Sequence, residues 1–327
     1  MEITTVAVLG GSGFIGRHVC SALVEEGYRV RVATRDRERA KVELILLPTV
    51  EVSEVDVHDP AALAGFMHGA QAAVNLVGVL HQGRGNASFG EAHVELARKV
   101  IGACRAQGIG RLLHMSALNA DPGGPSLYLR TKGEAERLVR ESGLAWTVFR
   151  PSVVFGRGDG FLNLFATLVR IFPIVPLGSP DARFQPAFVE DVARAFEASL
   201  EDIGSHGRSY DLCGPKVYRL RELVEFVGAA TGHRRPVIGL PDGLSRLQAA
   251  VMGLSPVKLL TLDNYRSMQV ASVCNCEFPF GITPNALEGV AQTYLGHRTP
   301  RARYQEMRER ARRERLERAA LAQRRGG

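Results

Sequence analysis

A tyrosine and a lysine four residues apart, Tyr128 and Lys132, form the first candidate catalytic pair in the sequence. Residues at this spacing share one face of a helix, so the lysine ammonium could lower the pKa of the tyrosine from about 10 toward neutrality. Ser116 ends a predicted strand shortly before the pair, where its hydroxyl would point from the carboxyl edge of the sheet toward a bound carbonyl oxygen. These residues predict proton transfer by Tyr128, with Ser116 polarising the oxygen and Lys132 tuning the tyrosine.

The alternative is an ordinary surface tyrosine with a helical lysine neighbour. A lysine here is nevertheless unusual, because arginine outnumbers lysine by 36 to 5 in this chain. Asn75 or Asn119 could complete a proton relay, and the spacing assigns neither of them.

A glycine-rich turn near the N-terminus follows an apolar strand and precedes a predicted helix. In such a turn Gly10 permits tight bending, Gly13 lets a pyrophosphate approach the backbone, and Gly16 lets the helix pack closely on the strand. The context predicts dinucleotide binding rather than a purely structural turn. The predicted contacts are Gly10, Gly11, Ser12, Gly13, Phe14, Ile15 and Gly16.

The end of the second predicted strand bears on which dinucleotide binds. An arginine there accommodates a 2′-phosphate, whereas an acidic residue binds the ribose 2′-hydroxyl. Arg35 comes directly after the strand and favours NADP(H), while Asp36 beside it leaves NAD(H) open. Arg17, just after the glycine turn, is a second candidate cation for that phosphate.

The first 150 residues alternate short β-branched segments with helical patterns, which is typical of a parallel sheet. Predicted strands cover residues 5–9, 29–34, 50–55, 72–77, 111–115 and 146–149, and predicted helices cover 13–26, 60–67, 89–107 and 127–142. The fold class is therefore α/β, a doubly wound parallel sheet of the Rossmann type with a smaller C-terminal substrate lobe and a basic helical tail.

The chain of 327 residues is predicted to divide into three parts. Residues 1–150 form the NAD(P)-binding domain, 151–297 an interleaved substrate lobe, and 298–327 an Arg-rich tail. In the lobe, helices are expected at 161–171, 189–200, 220–231, 244–252 and 286–294, and the strand-like segments 184–188 and 209–212 are expected to return to the main sheet.

The net charge of +7 is concentrated in the tail, where 11 arginines face 4 glutamates. The remaining chain is neutral and no nucleic-acid-recognition motif accompanies the tail, so no nucleic-acid partner is expected. A solvated charged helix is the expected form of the tail. Contact with an anionic surface or a protein partner is the alternative.

Few features of the sequence bear on the cellular compartment or on metal binding. No signal peptide is recognised, and apolar segments are too short to span a bilayer, so a cytoplasmic protein, peripheral at most to the inner face of the membrane, is expected. The five cysteines are odd in number and widely spaced, which favours reduced thiols. Cys274 and Cys276 are expected to be a buried or edge thiol pair, and no metal site is predicted.

Taken together, these motifs resemble those of the atypical or extended short-chain dehydrogenase/reductases, and more narrowly the bacterial relatives of the Rossmann-fold accessory subunit of respiratory complex I. The resemblance covers about the first 297 residues and is carried by the segments 10–16, 128–136, 150–161, 188–193 and 281–284. It implies bound NADP(H) and an oxidoreductase or epimerase-like fold.

The resemblance also implies further cofactor contacts. Residues at the ends of the third and fourth strands line the adenine and ribose in such reductases, and the lysine of the catalytic pair holds the nicotinamide ribose. The implied contacts are Asp56, Val57, Asn75, Val77, Gly78, Lys132, Arg150, Pro151 and Val153.

Two function classes remain open. One is hydride transfer to or from a carbonyl or alcohol of a hydrophobic or quinone-like small molecule. The other is a non-catalytic NADP(H)-binding assembly or redox-sensing protein, because the complex I subunit is thought to hold its nucleotide structurally.

Apolar residues of the second lobe are candidates for a substrate wall, although such residues more often form core. They are Pro151, Val153, Val154, Phe155, Phe161, Phe165, Phe184 and Phe188. A second apolar stripe contains Leu244, Leu247, Val251 and Leu254. A buried helix is expected there, with a lid or a membrane-facing surface as the alternative.

Overall fold

The computed structural model describes residues 2–253 and 260–296. A parallel sheet of seven strands forms its centre, in the order β11-β6-β5-β4-β1-β2-β3. The strands of this sheet and of three two-stranded sheets are β1 (Thr5–Leu9), β2 (Arg29–Thr34), β3 (Val50–Glu54), β4 (Ala72–Asn75), β5 (Arg111–Met115), β6 (Ala145–Pro151), β7 (Val154–Phe155), β8 (Val175–Leu177), β9 (Arg183–Phe184), β10 (Ala187–Phe188), β11 (Arg208–Leu212), β12 (Tyr218–Arg219) and β13 (Val237–Gly239).

Helices cover both faces of the central sheet and build the second lobe. They are α1 (Phe14–Glu25), α2 (Arg37–Leu44), α3 (Pro60–Met67), α4 (Leu96–Ala106), α5 (Leu127–Arg140), α6 (Gly160–Ile171), α7 (Val189–Ser199), α8 (Leu220–Ala230), α9 (Asp242–Gly253), α10 (Leu262–Ser267) and α11 (Leu287–Leu295). A π-helical turn, Gly90–Glu95, leads directly into α4.

The sheet is buried on both sides because alternate residues of each strand point to opposite faces. In β1, Val6 and Val8 pack in the cluster that contains residues of α1 and α7. Ala7 and Leu9 pack in the cluster that contains residues of α3 and α4. The prediction of a doubly wound Rossmann-type sheet is confirmed.

The second lobe has its own core between α6, α8 and α11. β11 returns from this half of the chain and pairs in parallel with β6, as predicted for residues 209–212. The same prediction for residues 184–188 is wrong. β9 pairs with β12 and β10 pairs with β7, because two-residue strands separated by a proline form local pairs instead of extending the main sheet.

Two helices, α2 and α10, have no counterpart among the predicted elements. α2 lacks an apolar periodicity, since most of its residues are charged and only Ala40 and Leu44 are buried. The short helix α10 begins at a capping box formed by Thr261 and Asn264.

The expectation of reduced thiols at Cys274 and Cys276 is wrong for the first of them. Cys274 forms a disulfide with Cys213, a residue 61 positions away that tertiary folding brings close. Cys276 is free and exposed.

The predicted tail, 298–327, lies outside the described residues. Within 2–253 and 260–296, no helix is long and apolar enough to cross a membrane.

Candidate functional site

The glycine turn between β1 and α1 has the backbone geometry that the sequence predicts. Gly10 has φ of 80°, a conformation that favours glycine, and its carbonyl accepts a hydrogen bond from the Gly13 amide at 3.0 Å. A Cβ at Gly16 would lie 2.1 Å from that carbonyl oxygen, so only glycine allows α1 to pack here. No side chain caps the start of α1. Its first amides are therefore suited to binding an anion.

Two charged residues at the carboxyl end of β2, Arg35 and Asp36, are the candidates for distinguishing NADP(H) from NAD(H), and their contacts differ. Asp36 is the N-cap of α2, and its carboxylate accepts a hydrogen bond from the Arg39 amide at 3.0 Å. Arg35 is exposed and makes no ion pair within the described part of the chain. Arg17, the second predicted cation, is engaged elsewhere, because it pairs with Glu43 at 3.2 Å.

The loops after β3 and β4 hold the next predicted contacts. The Asp56 carboxylate accepts a hydrogen bond from the His58 amide at 2.9 Å and so shapes its own turn. The buried Asn75 accepts from the Val77 amide at 3.2 Å and lies 3.3 Å from His114. Val57 is half-buried. Asn75 therefore stabilises the turn after β4, and no contact links it to Tyr128.

Helix α5 carries the tyrosine and the lysine. Lys132 is buried, donates a hydrogen bond to the Met115 carbonyl at 3.0 Å, and lies 3.0 Å from the position of a Cβ at Gly78. Gly78 therefore leaves room for the ammonium at the carboxyl edge of β4.

Burial is the largest cause of the pKa shifts of Lys132 and Tyr128. It lowers the pKa of Lys132 to about 8 and raises the pKa of the Tyr128 phenol to about 12. The expectation that the lysine brings the tyrosine pKa toward neutrality is therefore wrong for this structure. Tyr128 is held as a neutral phenol, the form that donates a proton.

His93, in the π-helical turn, is a site residue that the sequence analysis missed. Its Nε2 accepts a hydrogen bond from the Val79 amide at 3.2 Å, and its Nδ1 lies 2.9 Å from Thr131 Oγ1. Its ring stacks on Phe89 and meets the Tyr128 ring edge to face, with centroids 5.6 Å apart. Burial and the nearby Lys132 charge lower the pKa of His93 to about 2.

His93 is thus neutral and links the loop after β4 to α5. The signal in the sequence was a histidine among apolar residues of a predicted helix, and π-helical turns are frequent at functional sites.

Ser116 has a different orientation from the expected one. The Ser116 side chain is buried and donates a hydrogen bond to Glu136 at 2.9 Å. Glu136 lies one turn beyond Lys132 on α5, and its buried carboxylate attracts the nearest donors. The hydroxyl therefore binds Glu136 rather than pointing out of the sheet edge toward a substrate oxygen.

Arg150 belongs to the same buried network. Its Nε donates to both carboxylate oxygens of Glu136 at 3.0 Å, and its Nη1 lies 3.8 Å from Asp211. Arg140 reaches the same carboxylate at 2.6 Å. The guanidinium of Arg150 is paired with these acidic groups, and the cofactor contact implied for it stays a prediction. Pro151 is buried, and the Val153 carbonyl accepts a hydrogen bond from the Ala187 amide.

The predicted substrate wall is mostly core. Phe155, Phe165 and Phe188 are buried, and the half-buried Phe161 and Phe184 pack on each other with ring centroids 5.6 Å apart. The expectation of a buried helix for the second stripe is wrong, because its members in α9 are exposed. Leu254, the last member of that stripe, lies outside the described residues.

A different apolar rim surrounds the N-terminal end of α5. Asp263 of α10 accepts hydrogen bonds from the amides of Leu127 and Tyr128 at 2.7 and 3.1 Å. The Asn264 side-chain amide Nδ2 donates to the Leu80 carbonyl at 3.4 Å. These contacts bring exposed leucines near Tyr128, namely Leu80, Leu127 and Leu262.

Comparisons with known proteins agree with this architecture. Residues 10–159 match the family described as NAD(P)H-binding. The chain is 32% identical over 249 residues to NADH dehydrogenase (ubiquinone) 1 alpha subcomplex subunit 9 of Arabidopsis thaliana, covering 74% of this chain and 62% of that protein. The chain thus spans less than two thirds of the length of that plant subunit.

A bacterial relative and a solved structure extend the comparison. The chain is 33% identical over 249 residues to a ceramide reductase of Caulobacter vibrioides, covering 72% of this chain and 74% of that protein. An NADPH-dependent quinone oxidoreductase of Escherichia coli, solved with NADPH, superposes with a TM-score of 0.72 at 18% identity, covering 89% of this chain and 99% of that chain. At this identity the superposition shows a shared fold.

Proposed function

Because this chain belongs to the atypical short-chain dehydrogenase/reductases, the NAD(P)H-binding Rossmann proteins related to the complex I accessory subunit, we propose that it is an NADP(H)-dependent reductase of hydrophobic carbonyl compounds. The observation that carries the proposal is the placement of Tyr128 and the buried Lys132 on one helix, beside the loop after β4. This loop adjoins the glycine turn, since a Cβ at Gly10 would lie 3.2 Å from the Leu76 carbonyl carbon.

The residues present fit a dinucleotide. The uncapped amides at the start of α1 suit a pyrophosphate, and the Lys132 ammonium beside Gly78 is the donor that we assign to a ribose hydroxyl. A bound nicotinamide dinucleotide supplies the hydride for carbonyl reduction. We assign the 2′-phosphate to Arg35, because Asp36 already accepts a hydrogen bond as the N-cap of α2.

Tyr128 is the proton donor in this proposal. Burial raises the pKa of its phenol to about 12, so it stays protonated at neutral pH and donates to an oxygen that gains negative charge. Lys132 stays largely cationic at neutral pH, because its pKa is lowered only to about 8.

The substrate class follows from the rim around Tyr128. The exposed leucines at positions 80, 127 and 262 favour a ligand with an apolar ring or chain over a sugar nucleotide. A relative named ceramide reductase supports a lipid-like substrate. Quinones belong to the same chemical class of apolar carbonyl compounds.

The test is NADPH oxidation by the Tyr128→Phe variant, with a short-chain ubiquinone and a long-chain 3-oxo ester as probes. The variant is expected to lose about 10²- to 10⁴-fold in turnover, the range for a proton-transfer group, with an unchanged dissociation constant for NADPH. Tyr210→Phe is the matched control, because this half-buried tyrosine lies in β11 at the sheet edge. Equal turnover in Tyr128→Phe and the wild type would refute the assignment.

Nucleotide preference is tested separately by Arg35→Ser. The loss of a charge-assisted contact is expected to weaken NADPH binding by about 10- to 100-fold and to leave NADH binding unchanged. Arg39→Ser is the control, because Arg39 is an exposed arginine one turn further along α2. An equal effect of Arg35→Ser on both nucleotides would contradict the 2′-phosphate contact.

A non-catalytic nucleotide-binding assembly or redox-sensing protein is the second candidate. It is favoured by the similarity to complex I subunits and by the Ser116 hydroxyl, which is bonded to Glu136. This role predicts a nucleotide that copurifies with the protein, is not oxidised by either probe, and is retained equally by Tyr128→Phe. Mass spectrometry of the nucleotide released on denaturation distinguishes the two roles.

A further inference from the structure

Exposed apolar side chains lie on neighbouring elements of the second lobe, and we call the surface that they form the outer face. The β8–β13 ribbon and helix α9 form its framework. Pro176 of β8 lies opposite Ile238 of β13, and the Pro176 carbonyl accepts a hydrogen bond from Gln248 of α9 at 2.9 Å. The Ser179 amide donates to Ser245 at 3.2 Å. The outer face comprises Ile171, Phe172, Ile174, Ile238, Leu244, Leu247 and Val251, all of them exposed.

Helix α9 turns its large apolar residues away from the protein. Ser245 and Ala249 are buried against the ribbon side. Leu244, Leu247 and Val251 follow helical spacing on the opposite face and are 51%, 58% and 61% exposed. A surface helix normally buries its apolar stripe, whereas α9 exposes its large apolar side chains and buries a serine and an alanine. Exposed apolar patches of this kind mark interaction surfaces.

Arginines stand beside the apolar residues. Arg170 directly precedes Ile171, Arg234 lies just before β13, and Arg246 lies on α9 between two exposed leucines. All three are exposed, and none forms an ion pair with another residue of 2–253 or 260–296. The acidic residue at the start of α9, Asp242, instead accepts a hydrogen bond from the Tyr265 hydroxyl.

We propose that the outer face binds the surface of an anionic lipid bilayer. A bilayer of this kind has an apolar acyl region beneath a layer of negatively charged headgroups, so it matches an apolar stripe that is flanked by cations. The leucines and isoleucines enter the acyl boundary, and the arginines contact the headgroup phosphates.

Charge argues against two other occupants. A two-fold interface between copies of this chain would place the unpaired arginines of one outer face near those of the other. The segment 298–327 carries a net charge of +7 and is repelled by the same arginines. An anionic bilayer attracts both groups of charges.

Helix α10 lies between the outer face and Tyr128 and contacts both regions. Tyr265 of α10 donates its hydroxyl hydrogen bond to Asp242 at the start of α9, and Asp263 of α10 accepts from the Tyr128 amide. Bilayer binding therefore places the leucine rim near the lipid surface. The inference rests on exposure and charge and does not depend on the proposed reaction.

The test is cosedimentation of the full chain with vesicles of phosphatidylcholine alone or mixed with phosphatidylglycerol. Wild-type protein is expected to bind the mixed vesicles preferentially. Leu247→Glu with Val251→Glu is expected to weaken this binding by at least about tenfold, since two apolar side chains can no longer enter the interface. Ile45→Glu with Leu46→Glu is the matched control, because both residues are exposed and lie at the end of α2.

A second variant tests the cationic component. Replacing Arg170, Arg234 and Arg246 by glutamine is expected to reduce the preference for phosphatidylglycerol, and the arginines of residues 298–327 account for the preference that remains. Far-ultraviolet circular dichroism and thermal unfolding check that each variant is folded.

Three results would overturn the inference. Wild-type protein that sediments with neither vesicle type excludes a bilayer partner. Unchanged binding in the double glutamate variant assigns lipid adsorption to the 298–327 segment. Self-association that the double glutamate variant abolishes, without vesicle binding, assigns the outer face to a second copy.

Discussion

Replacement of Arg150 by methionine discriminates between a structural arginine and a cofactor contact. The guanidinium is bonded through Nε to both oxygens of Glu136 at 3.0 Å, and Nη2 forms a further contact with the same carboxylate. The side chain of Glu136 is 4% exposed. Arg150→Met therefore leaves a buried carboxylate without its main partner.

The expected cost follows from the remaining partners. Breaking a buried ion pair by removing one partner costs about 3–5 kcal/mol. Ser116 and Arg140 still donate to Glu136 after the substitution and offset part of this penalty. We expect the free energy of unfolding to fall by about 2–4 kcal/mol.

Urea unfolding, followed by the fluorescence of the single tryptophan, Trp146 in β6, measures this change. A double-mutant cycle with Glu136→Gln is expected to give a coupling energy of about 1–3 kcal/mol. Arg137→Gln is the control, because Arg137 pairs with Glu134 and Glu141 at the solvent-exposed surface and its loss should leave the stability almost unchanged.

Titration with NADPH completes the experiment. The folded Arg150→Met variant is expected to bind NADPH with the affinity of the wild type. A fall in affinity of tenfold or more, together with unchanged stability, would refute the structural role and support the cofactor contact.

Three further predictions follow from local geometry. Gly16→Ala should abolish nucleotide binding in titrations and lower the free energy of unfolding by more than about 3 kcal/mol, because its Cβ would clash with the Gly10 carbonyl. Gly102→Ala, in the exposed part of α4, is the control and should instead stabilise the protein by about 0.5–1 kcal/mol in urea unfolding. Ser126→Ala removes the N-cap of α5 and should cost about 1 kcal/mol in the same assay. The pKa of Lys132 is about 10.4 in the unfolded state and about 8 in the folded state. Between these pH values the unfolded state binds more protons than the folded state. The stability of the wild type relative to Lys132→Met should therefore rise with pH across this interval. A flat difference between those two proteins from pH 8 to 10 would contradict the burial of the ammonium.

The elements of the sheet were predictable because their signals are local. β1, β2 and β5 have the predicted bounds, since each is a short apolar or β-branched segment bounded by a turn. The glycine turn was predictable for the same reason, because the requirement at Gly10 and Gly16 comes from neighbouring backbone. Helix α2 was missed because its capping residue, Asp36, precedes a segment without an apolar period.

The direction of each polar side chain in the site depends on distant residues. Ser116 follows β5 and Arg150 lies near the end of β6, so both are at the carboxyl edge of the sheet, where either could meet a ligand. Glu136, from a different element, attracts both, because a buried carboxylate must be paired. His93 acquires its role only when its π-helical turn packs beside Tyr128.

The sequence by itself determined the six strands of the first 150 residues, most of the helices, the glycine turn and the position of the tyrosine and lysine on one helix, because periodicity and backbone requirements act over a few residues. The tertiary structure decided which groups are paired, which pKa values burial shifts, how Cys213 meets Cys274, and that α9 exposes its apolar stripe. These properties depend on burial and on partners far apart in the chain, which spacing along one sequence does not encode.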